Sequence, residues 1–227
     1  MKFVIVPVKD LTKAKDRMSG FLIGAERKEL VLAMLRDVLG ALKRSELPER
    51  CLVVTIDERV CELSKELGFD LIIEKDQRRE SASVDEASLI CAEMGATSVL
   101  RIPGDIPLIT PLDIDFILDR PLPQPSVIIV PSRDRFGTNA ILRTPPNVIR
   151  SQFGRDSLRK HIEDLKRFEI PYSVIENPRI GLDVDEPEDL RALVTYYNMN
   201  DARSSNTLVA LRKLGIADRV EKLKLTG

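Results

Sequence analysis

Two acidic segments carry the residue types expected of a divalent-metal site. Asp105 follows a buried run, in a loop that two prolines and a glycine hold in place at residues 103–107. Asp183 and Asp185 belong to a second segment, whose residues 181–184 we expect to form a short strand. On a strand these two carboxylates share a face, with Cα atoms about 6–7 Å apart. They then repel each other unless a cation lies between them, which makes all three aspartates candidate ligands of Mg²⁺.

The second acidic segment also allows a purely structural interpretation. Asp185 and Glu186 stand where the next helix should begin, and acidic residues stabilise the N-terminus of a helix. This accounts for Glu188 and Asp189 in the first turn, whereas Asp183 lies before the helix and needs another reason. Spacing alone leaves both interpretations open.

A cluster of cations follows the first apolar run of the chain. No glycine occurs there before Gly20, so a glycine-rich loop that binds phosphates through backbone amides is excluded. Basic side chains at the end of a strand could instead hold a polyphosphate, although a solvated basic loop fits equally well. The cluster consists of Lys9, Lys13, Lys15 and Arg17.

A candidate anion site lies in the second half of the chain. Gly154 and Ser157 stand at the start of a predicted helix, where free backbone amides favour an anion, and Arg155 adds positive charge. His161, the one histidine of the chain, shares a helix face with leucines. We expect it to pack inside the fold or orient a substrate rather than act as a general base.

Five blocks in this order resemble the 2-phospho-L-lactate guanylyltransferase family of coenzyme F-420 biosynthesis. They are P-V-K with A-K-x-R at residues 7–17, P-G-D-x-P at 103–107, G-T-N at 137–139, F-G-x-x-S-x-x-x-H at 153–161 and G-L-D-x-D-x-P-x-D-L at 181–190. The resemblance covers residues 3 to about 197. It implies a GT-A-like nucleotidyltransferase fold, with Mg²⁺ on Asp105, Asp183 and Asp185.

The resemblance further implies transfer of GMP from GTP to 2-phospho-L-lactate, with release of pyrophosphate. Lys15, Arg17 and Asp105 are then the catalytic residues, and Lys9, Lys13 and Asp85 are further contacts to the nucleotide. The phosphorylated hydroxy acid would bind the residues Thr138, Asn139, Gly154, Arg155 and Ser157. Alternatives are another NTP, phosphoenolpyruvate or another phosphorylated acceptor, a nucleotide-binding module without catalysis, and a structural oligomer.

Alternation of apolar runs and amphipathic segments supplies the elements that position these residues. Runs at 3–8, 52–55, 71–73, 98–102, 126–130, 138–142 and 172–175 are predicted strands. Predicted helices lie at 26–42, 58–67, 110–118, 156–165 and 188–197, and a further helix begins with a capping box at Ser83 and Glu86. This pattern predicts an α/β fold, a three-layer α/β/α sandwich with a mixed, mostly parallel and Rossmann-like sheet. Ligands then bind at the carboxyl ends of the strands.

Composition limits the domain count and the kind of partner. The chain has 227 residues, and 35 basic residues nearly balance 36 acidic ones, so we expect no nucleic-acid or membrane partner. Scattered cysteines and the lack of a signal-peptide pattern predict a cytoplasmic protein. Residues 1–197 are the predicted nucleotidyltransferase domain. Residues 198–227 are a predicted helical appendage that covers the core or builds a homodimer.

Overall fold

A seven-stranded sheet forms the centre of the computed structural model, which describes residues 1–76, 79–200 and 205–222. The strands are β1 (Lys2–Val8), β2 (Arg50–Thr55), β3 (Asp70–Ile73), β4 (Ser98–Arg101), β5 (Ser126–Pro131), β6 (Thr138–Thr144) and β7 (Tyr172–Val174). Their order is β3-β2-β1-β4-β6-β5-β7. Of these strands, β6 runs antiparallel to β4 and β5, and the other pairs are parallel. The predicted mixed, mostly parallel sheet is therefore confirmed.

Helices cover both faces of the sheet. They are α1 (Gly24–Arg44), α2 (Glu58–Glu66), α3 (Glu80–Glu93), α4 (Pro111–Asp119), α5 (Ser157–Arg167), α6 (Pro178–Gly181), α7 (Pro187–Met199), α8 (Asn206–Lys213) and α9 (Ile216–Lys222). Side chains alternate along β1, so Val4 and Val6 join the core beneath α1, while Phe3 and Ile5 pack beneath α3. The predicted three-layer α/β/α sandwich is therefore confirmed. None of the helices in the described ranges is both long and apolar enough to cross a membrane.

The predicted strand at residues 181–184 is wrong. The side chain of Asn177 accepts hydrogen bonds from the backbone N–H groups of Arg179 and Ile180, and Pro178 occupies the first helical position. Residues 178–181 therefore form the short helix α6, which takes up the first residue of the predicted strand. Residues 182–185 then run as irregular chain, in which the N–H of Val184 donates to the carbonyl of Asp105 (3.1 Å). This bond, rather than strand alternation, brings the two acidic segments together.

The predicted start of the central helix is also wrong. Helix α3 begins at Glu80, three residues before the expected capping serine. Ser83 lies inside the helix, and its hydroxyl approaches the carbonyl of Arg79 (3.5 Å). By contrast, the predicted helix at residues 110–118 is confirmed as α4, which begins where Thr110 and Asp113 exchange hydrogen bonds in a capping box.

The predicted appendage packs on the main core. Leu211, Ile216 and Val220 are fully buried in the same apolar cluster as α1, and Asp37 on α1 accepts hydrogen bonds from the backbone N–H groups of Asn206 and Thr207 (2.9 Å each). Helices α8 and α9 therefore cover the part of the core around α1. Residues 201–204 and 223–227 of the appendage lie outside the described residues.

Candidate active site

A cleft opens above the carboxyl ends of β1 to β4, where ligands bind in sheets of this kind. It brings the cationic loop and the first acidic segment together. The acidic loop packs closely against its neighbours at Gly104, since a Cβ there would lie 3.2 Å from a methyl group of Leu35 and 3.3 Å from one of Val8. The polar residues of its wall are Lys9, Lys13, Lys15, Glu74, Glu80, Ser83, Arg101, Asp105 and Asp185.

Lys15 is the central cation of the cleft. Its ammonium group donates to the carboxylate of Asp105 and to Oδ1 of Asp185 (2.6 Å), and its side chain is only 7% exposed. Burial alone would lower the pKa of Lys15, but the charges of Asp105 and Asp185 outweigh it and raise the pKa. Lys15 also adopts a left-handed backbone conformation (φ 55°), which is uncommon for a side-chain-bearing residue. A charged ammonium group therefore lies between the two acids.

The three candidate metal ligands differ in their surroundings. Burial, together with the negative charge of Asp105, raises the pKa of Asp183 to about 6. Burial is also the largest single influence on Asp185, but the charge and hydrogen bond of Lys15, together with the charges of Arg17 and Lys9, outweigh it and lower the pKa. One oxygen of Asp105, Oδ1, is buried without a hydrogen-bond partner among the described residues. The acids therefore concentrate negative charge that Lys15 compensates only in part.

The donor set at this position is that of a hard cation. In residues 1–76, 79–200 and 205–222, no three His, Cys, Asp or Glu side chains are arranged as a preformed metal site, and Lys15 pairs with Asp105 and Asp185. The available oxygens are nonetheless carboxylates, and the Asp105 oxygen without a partner together with the raised pKa of Asp183 marks uncompensated charge. Carboxylate oxygens are ligands that Mg²⁺ prefers, so the residue types present here fit this ion.

The remaining predicted cations border the same cleft. Lys9 lies 3.6 Å from Glu80, and exposed Lys13 lies along the wall. Arg17 is exposed and lies 3.5 Å from Glu186 and 4.0 Å from Asp185. The structure therefore brings all four cations of the predicted cluster to one edge of the sheet.

A second polar group surrounds the start of β6. The Nε2 atom of His161 accepts a hydrogen bond from the backbone N–H of Gln152 (2.9 Å), and Nδ1 lies 3.0 Å from the hydroxyl of Thr138. Burial and the charges of Arg143 and Arg101 lower the pKa of His161 to about 4, so the ring is neutral at pH 7. With Nε2 accepting, the proton resides on Nδ1 and is donated to Thr138. The Thr138 hydroxyl keeps its own proton to donate elsewhere. His161 is fully buried, so it packs inside the fold, one of the two predicted roles.

The start of α5 lies beside Thr138. Gly154 adopts a positive φ of 111°, which favours glycine, and reverses the chain before the helix. Ser157 is the first residue of α5 and is buried, while Arg155 is exposed. The Leu158 N–H donates to the carbonyl of Phe136, which joins this turn to the loop before β6 (3.2 Å). The predicted acceptor residues thus lie on two adjoining segments.

Asn139 and Arg101 connect the polar group around the start of β6 with the three aspartates of the acidic cluster. The amide of Asn139 donates to Oδ1 of Asp183 (3.0 Å), and Arg101 donates to the carbonyl of Asn139 (2.9 Å). The guanidinium of Arg101 also pairs with Glu80 on the cleft wall and lies 4.3 Å from the ring centre of Phe153. The predicted acceptor region and the acidic cluster therefore share one network of hydrogen bonds.

Asp85 is not brought into the cleft wall. Its carboxylate accepts from Arg143 (2.7 Å) and from the backbone N–H of Ser151 (3.1 Å), beneath the opposite face of α3. Burial lowers the pKa of Arg143 and Asp85 opposes this shift, so Asp85 serves as the counter-ion of a buried guanidinium. Its predicted contact with the nucleotide has no counterpart in this geometry.

Sequence reasoning missed Arg101, Glu80 and Glu74 as residues of the cleft. Arg101 on β4 and Glu80 on α3 form an ion pair although they are 21 positions apart in the sequence. No local sequence pattern predicts such a pair. The sequence positions of Glu74 and Arg101 could have identified them as cleft residues, because both stand at the ends of predicted strands, where ligands bind.

Comparisons with known proteins agree with the fold and the combination of residues. Residues 1–224 match the family described as Guanylyl transferase CofC like. A phosphoenolpyruvate guanylyltransferase of Conexibacter woesei is 38% identical over 84% of this chain and 86% of its own. A 2-phospho-L-lactate guanylyltransferase of Methanothermobacter thermautotrophicus is 34% identical over 88% of this chain and 86% of its own. The solved structure of a nucleotidyl transferase from the same organism superimposes with a TM-score of 0.61, covering 88% of this chain and 99% of that one at 16% identity, a likeness of fold alone.

Proposed function

Because the chain belongs to the Guanylyl transferase CofC like family, we propose that it joins GMP from GTP to 2-phospho-L-lactate. The products are lactyl-2-diphospho-5'-guanosine and pyrophosphate, and the pathway is coenzyme F-420 biosynthesis. The observation that carries the proposal is the cleft in which buried Lys15 lies between Asp105 and Asp185 at the carboxyl edge of the sheet. Cations and carboxylates placed together suit the alignment of two phosphorylated anions.

The reaction needs little acid–base chemistry from the protein. A phosphate oxygen of the acceptor attacks the α-phosphorus of GTP and forms a new phosphorus–oxygen bond. The bond from that phosphorus to the α,β-bridging oxygen breaks in line, and pyrophosphate leaves with the electron pair. A phosphate dianion is already nucleophilic at neutral pH. Neutral, buried His161 therefore fits a site without a general base.

The basic residues of the cleft hold the triphosphate. Lys15 and Arg17 lie at the acidic cluster, while Lys9 and Lys13 extend positive charge along the wall. Their charges reduce repulsion between the triphosphate and the incoming phosphate and stabilise the departing pyrophosphate. The left-handed backbone of Lys15 keeps its ammonium at the reacting end of the cleft.

We propose Asp105, Asp183 and Asp185 as the ligands of Mg²⁺. When bound, Mg²⁺ supplies positive charge that orients the phosphates and offsets the charge developing on them. Asp105 offers a buried oxygen without a partner in the described residues, and Asn139 orients Asp183 from behind by its amide. Lys15 compensates the acids before the substrates bind.

The acceptor site lies at Thr138, Asn139 and the start of α5. The Thr138 hydroxyl, held by His161 with its proton free to donate, suits a carboxylate or phosphate oxygen. The N–H groups of Ser157 and Leu158 already donate to the carbonyls of Gly154 and Phe136, so α5 contributes the positive end of its dipole toward this anion rather than free amides. Exposed Arg155 adds charge at the rim.

Phosphoenolpyruvate is the second candidate acceptor. The Conexibacter woesei relative carries that name at 38% identity, and the two acids share the carboxylate and phosphate that this site would bind. They differ at the central carbon, which is tetrahedral in phospholactate and planar in phosphoenolpyruvate.

The test is a product assay with purified protein. GTP and Mg²⁺ are incubated with each acid in turn, pyrophosphate is measured, and the nucleotide product is identified by mass spectrometry. We expect a diphospho-guanosine product from phospholactate and no turnover in EDTA. Pyrophosphate release from phosphoenolpyruvate alone would replace the acceptor. GTP binding without pyrophosphate release from any phosphorylated acid or any NTP would contradict the enzymatic proposal and leave a nucleotide-binding module.

A further inference from the structure

Glu74 forms the end of the cleft opposite the acidic cluster. It directly follows β3, and its backbone N–H continues the sheet by donating to the carbonyl of Thr55 (3.0 Å). Its side chain lies on the cleft wall, where Oε1 is buried and no donor in the described part of the chain reaches it. A buried carboxylate oxygen without a donor is unfavourable, so this one is suited to accept from a ligand.

The sheet order places Glu74 far from the reacting phosphates. Three strand spacings of about 4.8 Å separate β3 from β4, so the two ends of the cleft lie about 14 Å apart. Lys15, Asp105 and Asp185 occupy the β1–β4 end. An extended nucleotide with its phosphates there directs its base toward β2 and β3. The wall between the two ends includes Val8 and Val54, which provide apolar surface for a ring.

Glu80 is another carboxylate of the cleft wall, but its partners already engage it. Arg101 and Lys9 both bind Glu80, and Arg101 in turn donates to the backbone of β6. Glu74 therefore differs from Glu80 in having a buried oxygen still available to accept a hydrogen bond from the base.

The edges of the four bases select one of them for such a carboxylate. Guanine presents two neighbouring donors, N1–H and the 2-amino group, which two carboxylate oxygens can accept side by side. Adenine and cytosine place a ring acceptor beside their amino group, and uracil places its N–H between two carbonyls. We infer that Glu74 determines the base specificity by accepting hydrogen bonds from N1–H and the 2-amino group of guanine, an inference that rests on the proposed function.

Inosine triphosphate tests this inference because it keeps N1–H and lacks the 2-amino group. The measurement is the ratio of kcat/KM for GTP to that for ITP, in the wild type and in Glu74→Gln. We expect a wild-type ratio of about 10–100, the effect of one hydrogen bond to a charged group. In Glu74→Gln the amide turns a donor toward the guanine donors, so the ratio should fall at least tenfold. A partly unfolded fraction lowers both rates alike and leaves the ratio unchanged.

A matched control applies the same substitution elsewhere. Glu163 is an exposed residue of α5 that pairs with Arg159, so Glu163→Gln should keep the wild-type ratio. A wild type that uses GTP and ITP equally well, or a Glu74→Gln variant that keeps the wild-type ratio, would overturn the inference while the proposed function stands. If the wild type does not release pyrophosphate, the proposed function fails. The same ratio is then taken from the dissociation constants of GTP and ITP by calorimetry, with the same two outcomes.

Discussion

Replacing Lys15 by methionine tests how strongly the acidic cluster depends on its buried cation. Methionine keeps an unbranched apolar stem of similar length, and the left-handed backbone is equally strained for either residue. The substitution therefore removes mainly the charge. It leaves Asp105 and Asp185 close together without their shared ammonium group.

The expected loss follows from burial. Removing one partner of a buried ion pair costs about 3–5 kcal/mol. Asp105 is 24% exposed and belongs to this class, whereas Asp185 is 42% exposed and water screens its part. We therefore expect about 3 kcal/mol of lost unfolding free energy. For a domain of this size, that corresponds to a Tm lower by about 6–12 °C.

The assay is thermal unfolding in EDTA, followed by pyrophosphate release in Mg²⁺. Lys13→Met is the matched control, because Lys13 lies in the same loop but is exposed, and its Tm should change by less than about 2 °C. Lys15→Met should also lose most activity, since the charge at the reacting phosphates is gone. A Tm within 2 °C of the wild type would refute the claim that Lys15 compensates buried charge.

Four further substitutions follow from the same geometry. Asp105→Asn should lower pyrophosphate release at least 100-fold, and activity close to wild type would contradict the metal proposal. Ser157→Ala should raise KM for the phosphorylated acid more than for GTP; the reverse in initial-rate kinetics would exchange the two binding sites. The pKa of His161 is about 4 in the fold and about 6.5 when unfolded, so the unfolded chain binds more protons as pH falls from 6.5 to 4. Over that window His161 lowers stability by about 3 kcal/mol, whereas Asp183, whose pKa is raised to about 6, adds stability as it takes up its proton. In urea titrations the free energy of unfolding of the wild type minus that of His161→Gln should therefore fall by about 3 kcal/mol from pH 6.5 to 4, and a difference that does not change with pH would refute this. Gly154→Ala should cost about 1–3 kcal/mol through its φ of 111°, and an unchanged midpoint in the same titrations would show that the turn relaxes.

Periodicity predicted the strands of the sheet because apolar runs buried on both faces are hard to mistake. Residues 3–8, for example, became β1 with one further residue, Lys2. The error at residues 181–184 has the same origin. Leu182 and Val184 are buried, but irregular chain can also bury them once Asn177 and Pro178 start a helix. Apolarity predicted their burial and not their backbone conformation.

The chemistry of the site was partly predictable from residue type. Cations after one strand and acids after others meet because carboxyl ends of parallel strands share an edge, and that rule located Lys15 and Asp105. It did not say that the cation lies between the acids. It also did not place Asp85, whose partner Arg143 is 58 positions away and is found only once the chain is folded.

The packing of α8 on α1 has a consequence for synthesis of the protein. Asp37 and its partner Ser205 are 168 positions apart, which at ribosomal rates separates them by about 10–30 s. During this interval the face of α1 that later contacts Leu211 has no cover from α8. Helix α1 is also the first helix after the cationic loop. The nascent chain therefore exposes apolar surface beside its future cleft until α8 has emerged.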